Sequence, residues 1–253
     1  MRTCCYWYVL GFALLSSATA MAADGRITGS QQTIATAAQE GKYTFVLFHR
    51  EDNSRKREMD KTLRDTLASR QDQAVMCHVR VNDPQEAAVV KRFGVARAPL
   101  PLALAVAPNG AITGAFPQKI KPSDVENAFA TPTMSECIKA MQDGKLVFLC
   151  VSRSTTSSIP KAVQDFETDP QFNKRMSVIA LHVGDSAEAK LLEDLEIEPT
   201  KVAGTVVAFM APPGVLVGKY NASATKQQMA AELHAAGKCC NDPHCKHGKQ
   251  GGK

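Results

Sequence analysis

Apolar positions along the chain fall into short blocks whose order repeats. Residues 43–48 form a largely apolar run of strand length, and residues 146–151 form another about a hundred residues later. A related phrase precedes each: Ala38-Gln39-Glu40-Gly41-Lys42 and Met141-Gln142-Asp143-Gly144-Lys145. Both read as a helix end followed by a glycine turn. Residues 31–40 and 133–143 are the predicted helices. After each strand comes a polar connection, 49–57 or 152–158. Met59, Leu63 and Leu67 then mark one face of a helix in the first copy. Ile159, Val163 and Phe166 do so in the second, where Pro160 suits the first turn. Residues 74–81 and 177–183 are second strands. Val89, Val90 and Phe93 share their spacing with Leu191, Leu192 and Leu195, the apolar faces of short helices. Third strands are predicted at 102–107 and 206–210. Turns at Pro108-Asn109-Gly110 and Pro212-Pro213-Gly214 return the chain into partner strands at 111–116 and 215–220. Each copy closes on a helix. Ser123 with Glu126, and Thr225 with Gln228, read as capping boxes, and the buried faces are Val125 with Phe129 and Met229 with Leu233.

Both copies therefore read α-β-α-β-α-β-β-α. A repeat of this length predicts two copies of one domain, with the boundary near residues 130–132. Helical connections predict parallel pairing among the first three strands, and the proline-glycine turn predicts an antiparallel hairpin. The expected class is α/β, a mixed sheet with helices on both faces.

Composition changes this picture little. The chain has 253 residues, is 44% hydrophobic and carries a net charge of +5, values of an ordinary globular protein. Basic residues are scattered apart from Arg55-Lys56-Arg57 and the terminal lysines, which argues against nucleic acid as a partner. The amino terminus does add something. Arg2 precedes a largely apolar stretch at 6–15 and a small-residue segment at 16–23, the pattern of a secretory signal. Ala20-Met21-Ala22 and Ala18-Thr19-Ala20 both fit a cleavage site, with cleavage after Ala22 preferred. The organisation expected is a signal peptide at 1–22, domains at 23–131 and 132–236, and a tail at 237–253. The chain is then exported to a periplasm or the extracellular space, with no membrane association once the signal is gone.

Cys4 and Cys5 leave with the signal, so six cysteines remain: Cys77, Cys137, Cys150, Cys239, Cys240 and Cys245. An exported chain can form disulfides, and the sequence does not choose among the pairings. Cys77 and Cys150 sit inside strand patterns and read as buried, inert thiols.

The order of elements, with Phe93-Gly94-Val95-Ala96-Arg97-Ala98-Pro99 before the third strand and Pro108-Asn109-Gly110 after it, resembles the thioredoxin fold. The resemblance spans residues 33–233 and makes the chain two tandem thioredoxin-like domains. It implies a cis-proline just before the third strand. Helix spacing favours Pro99 and strand spacing favours Pro101, while the second copy has Lys201-Val202-Ala203-Gly204-Thr205 there, without proline. It also implies a Cys-x-x-Cys where the first strand meets the next helix, whose first thiolate attacks disulfides. In this chain the junctions read Asp52-Asn53-Ser54-Arg55-Lys56 and Thr155-Thr156-Ser157-Ser158-Ile159. Neither holds a cysteine, which excludes disulfide exchange at the usual place. Ser157 and Ser158 read as helix caps.

What remains is a binding module for a protein or peptide, presenting the 49–57 and 152–158 loops and the Pro99–Pro101 turn. His49, His78 and His182, at strand positions, make a metal trio only if they converge, and they are divided between the copies. The tail carries denser donors: Cys239, Cys240, His244, Cys245 and His247 lie within nine residues, around a turn at Asn241-Asp242-Pro243. Thiolate and imidazole suit zinc or cuprous copper. A disulfide staple and a thiol oxidoreductase using the tail cysteines are the competing readings.

Overall fold

A computed structural model describes residues 29–154 and 159–237. Residues 1–28 with the expected signal segment, residues 155–158 and the tail from 238 onward, including all five expected metal ligands, lie outside the described residues.

The first copy runs α1 (Gly29–Gln39), β1 (Tyr43–His49), α2 (Ser54–Leu67), β2 (Ala74–Arg80), α3 (Ala87–Phe93), β3 (Leu102–Val106), β4 (Ile112–Pro117) and α4 (Pro122–Asn127). The second runs α5 (Pro132–Gln142), β5 (Leu146–Ser152), α6 (Lys161–Glu167), β6 (Met176–His182), α7 (Ala189–Asp194), β7 (Thr205–Ala211), β8 (Val215–Asn221) and α8 (Lys226–Ala235). Their sheets have the orders β2-β1-β3-β4 and β6-β5-β7-β8.

Two glycine turns feed the central strands. Gly41 and Gly144 are left-handed, with φ of 70° and 76°. Lys42 N–H bonds to Ala37 O at 2.8 Å, and Lys145 N–H to Ala140 O at 3.0 Å, so both helices end in the same six-residue cap. Every residue of β1 and of β5 is buried. In the first copy Phe45 and Leu47 point to one face with Met59 and Leu63 of α2, while Val46 and Phe48 point to the other with Ile34, Val89 and Val90. That period-two division is why a continuous apolar run is needed: the strand has no solvent face. Each fully buried Leu or Phe contributes roughly 1.5–3 kcal/mol.

The sheet departs from expectation in one respect. β1 and β2 are parallel, but β3 is antiparallel to β1, and β7 is likewise antiparallel to β5. A crossover is required for parallel pairing but does not impose it. In the first copy the 14 residues of α2 climb about 21 Å, a strand's length, whereas the 7 residues of α3 climb about 10 Å and leave the chain near the end it left.

Three local readings are also corrected. The cap of α4 is Lys121 with Asp124 rather than Ser123 with Glu126: Pro122 takes the first helical position, so the residue before it becomes the cap, and Lys121 N–H bonds Asp124 Oδ2 at 2.9 Å. Phe129 lies beyond that helix and is half-buried, its ring 4.9 Å from Tyr43 and 5.6 Å from Phe45. Ile159 is 37% exposed because Pro160, with ψ of 144°, is the extended cap of α6 and turns the preceding residue out of the helical face. The Thr225–Gln228 box forms as read, with Thr225 N–H to Gln228 Oε1 at 2.9 Å.

One junction joins the copies through polar groups. Tyr43 Oη donates to Ala130 O at 2.8 Å, accepts from Ala130 N–H at 3.0 Å and lies 3.2 Å from Ser135 Oγ. The Gln142 side chain then grips the outer edge of β4: Ile112 N–H donates to Oε1 at 3.0 Å, and Nε2 donates to Ile112 O at 2.7 Å.

The two glycine caps give the first prediction. Gly41→Ala and Gly144→Ala place a Cβ in open space but on a left-handed backbone, so each should cost about 1 kcal/mol. Urea unfolding of the two variants should return similar losses; a neutral result for either would mean its cap relaxes without penalty.

Candidate functional site

The junction where thioredoxin-like proteins carry their thiols is built in the first copy by the carboxyl end of β1 and the start of α2. Asn53 caps α2, its Oδ1 accepting from Lys56 N–H at 2.9 Å. Ser54 therefore begins the helix, and the junction itself holds no cysteine. The strand register sets Phe48 against Leu102, which brings Pro101 beside His49, and the Leu100–Pro101 peptide is cis. Strand spacing, rather than helix spacing, identified the residue. In the second copy the corresponding turn has no proline, and a cis bond occurs instead at Pro212–Pro213.

The side chains at this end are ionisable. His49 is 9% exposed, and its Nδ1 is buried without a hydrogen-bond partner. Its ring stands nearly perpendicular to that of His78, centroids 6.3 Å apart. His78 Nε2 is 2.8 Å from Asp60 Oδ1, which also accepts from Arg64 Nε at 3.0 Å. Burial lowers the His49 pKa below its usual 6.5, and the charges of Lys56, His78 and Arg80 lower it further against a smaller opposing pull from Asp52. Burial pushes the Asp60 carboxyl up, but the hydrogen bonds from Arg64 and His78 outweigh it, so the net shift is down. The arrangement holds an aspartate ionised against an imidazole.

In the second copy Ser152 takes the place of His49, its Oγ donating to Ser154 O at 2.7 Å. His182 receives Gly184 N–H at Nδ1, 3.0 Å, and its Nε2 donates to Arg153 O at 2.8 Å. Both ring nitrogens are therefore occupied and neither is open to a ligand. His49 and His78 do meet, but His182 belongs to the other sheet. Among the described residues no set of three His, Cys, Asp or Glu side chains is placed to hold a metal. A groove of about 550 Å³ opens here, lined by Cys150, Ser152, Ile159, Glu167, His182 and Thr205.

The three described cysteines, Cys77, Cys137 and Cys150, are free and buried, as the strand patterns around Cys77 and Cys150 imply. Desolvation pushes the Cys77 and Cys137 thiols up to about 12 and Cys150 to about 11, with neighbouring glutamates adding to the shift. A nucleophilic thiol needs the opposite shift.

Sequence reading missed the Asp60–His78 pair and a repeated structural device. Asp83-Pro84-Gln85-Glu86 and Asp185-Ser186-Ala187-Glu188 each form a short 3-10 turn capped by the aspartate, and each glutamate reaches the start of its copy's first helix. Ser30 Oγ donates to Glu86, and Thr133 N–H donates to Glu188 Oε1 at 2.7 Å. The shared Asp-x-x-Glu-Ala phrase was the available signal.

No protein-family model and no curated protein matches the chain. Solved structures resemble it at low sequence identity. The N-terminal domain of alkylhydroperoxide reductase AhpF from Enterococcus faecalis has 15% identity over 79% of this chain and 96% of its own, with a TM-score of 0.30. The zinc-bound form of human ERp44 has 11% identity over 83% of this chain and 60% of its own, TM-score 0.36. The first two thioredoxin domains of Naumovozyma dairenensis Eps1p have 10% identity over 79% and 92%, TM-score 0.27.

The His49 environment gives a pH prediction. The unfolded chain takes up this proton at a higher pH than the folded chain does, so His49 costs no stability above about pH 6.5. As pH falls below that value toward the lower folded pKa, stability should decline. Urea unfolding across this range should show the decline in the native chain and a flatter profile for His49→Phe; an equal slope in both would assign the titration to another group.

The strand order, the register and the repeat together define the molecule as two tandem thioredoxin-like domains.

Proposed function

We propose that this chain is an exported, non-catalytic tandem thioredoxin-like protein that binds a protein or peptide, with a soft metal ion, zinc or cuprous copper, held by Cys239, Cys240, His244, Cys245 and His247. The observation that carries the non-catalytic part is the placing of the thiols. Cys77, Cys137 and Cys150 are buried with raised pKa values, and the caps of α2 and α6 are Asn53 and Pro160. Binding would use the surface that the fold keeps, around Pro101, the 49–57 loop and the groove beside His182. The tail reading rests on its donors, three thiols and two imidazoles within nine residues.

The burial of the other thiols also fixes where a competing activity would have to lie. If the protein exchanges disulfides, Cys239, Cys240 and Cys245 are its candidates, and a structural tail disulfide would use the same residues.

Two measurements separate these readings. The purified protein should not reduce insulin-type disulfides. Activity that disappears with Cys239→Ser, Cys240→Ser and Cys245→Ser would establish the tail enzyme, and activity that survives them would place the site on a buried thiol. The reduced full chain should take up one equivalent of zinc or cuprous ion, and a truncation ending at Gly237 should take up none while unfolding at the same urea concentration. Stoichiometric metal on the truncated chain, or none on the intact one, would end the metal reading.

A further inference from the structure

The junction between the two copies is a template that the chain presents a second time without filling. On its receiving side is β4. Ile112, opposite Val106 at a bulge, turns its main-chain N–H and C=O outward, and Gln142 binds both. The second copy repeats this edge. Leu216 lies opposite Met210 at the corresponding bulge, with Gly218 opposite Phe209 as Gly114 is opposite Ala105. β8 is an edge strand, and no described residue outside its sheet bonds the Leu216 main chain. Leu216 is 42% exposed, one of two large apolar side chains so exposed among the described residues, whereas Ile112 is half-buried.

The donating side is repeated as well. Gln142 ends α5 just before its Gly-Lys turn, and Gln39 ends α1 just before the same turn. Both helices pack their inner faces on their own sheets and close with the same cap. The Gln39 side chain is exposed and has no partner among the described residues. Where α5 presents Ile138 to the first copy's core, α1 presents exposed Ala35. That flatter face permits close approach, and the apolar anchor lies on the receiving strand as Leu216.

We infer that α1 of a second copy of this chain docks on β8, with the Gln39 amide bonding the Leu216 N–H and C=O as Gln142 bonds Ile112. The interface is head-to-tail: donor and acceptor are different surfaces, so each added copy leaves one of each available, and assembly continues unless the rotation closes a ring. The driving terms are cover for Leu216 and for an unpaired edge, which natural sheets otherwise protect. This extends the binding role to self-association and does not depend on the metal reading.

The test uses the full chain in sedimentation velocity, from low micromolar to sub-millimolar protein, with reductant and chelator present. The weight-average mass should rise with concentration. Leu216→Lys blocks the receiving edge and Gln39→Lys blocks the donor, and both residues are exposed, so both variants should unfold at the native urea midpoint. Each alone should associate at least about tenfold more weakly, the loss expected from two exposed hydrogen bonds and one apolar contact. An equimolar mixture should recover one strong contact, α1 of the Leu216→Lys chain on β8 of the Gln39→Lys chain, and stop at a pair. A monomer throughout would overturn the proposal. So would a mixture no stronger than its components, or association that vanishes with reductant or chelator or with Cys239→Ser, Cys240→Ser and Cys245→Ser, which would make the tail the link.

Discussion

The structure depends on burying a whole central strand in each copy. β1 and β5 have no residue in solvent, so their main-chain groups must be satisfied by neighbours on both edges and their side chains by helices on both faces. That single demand fixes the rest. It requires a parallel partner reached by a crossover, an antiparallel partner with a hairpin, and a helix that enters through a left-handed glycine. Variation is left only where the strand runs out.

At that end the two copies have diverged. One closes with a buried histidine set against an aspartate-bound histidine, the other with a serine beside a histidine whose nitrogens are both used. The fold supplies a helix start and a turn in both places, and neither is given a thiol. The cysteines of the described residues are instead sealed within the cores.

Much of the fold was legible because its signals are local. The repeated Gly-Lys phrase, the apolar runs and the Thr225–Gln228 cap are all read from neighbours in sequence. The direction of β3 was not, because an apolar strand looks the same in either sense and the length of α3 decides it. Pro122 hid the cap of α4 by occupying the position that a reader assigns to an ordinary residue. Ile159 fitted a helical spacing that the extended Pro160 interrupts. At the candidate site the absence of cysteine at Asn53–Lys56 was plain, but the Asp60–His78 bond links residues 18 apart on different elements, and no spacing rule reports such a contact. Gln142 was in view as part of the repeat, yet its grip on β4 became visible only with the strand's outer edge.

The burial of Cys77, Cys137 and Cys150 has a consequence for the chain before it is folded. In the native state burial raises their pKa values and disfavours the thiolate that attacks disulfides. In the nascent chain all of them are accessible, alongside the tail thiols. Under oxidising conditions, then, the order of events matters: collapse of the two cores must come before sulfur chemistry, because a disulfide made early through any core cysteine would hold a strand or the α5 helix out of its core. The cores act as the chain's own protecting group, and the speed of folding determines which sulfurs remain available to react.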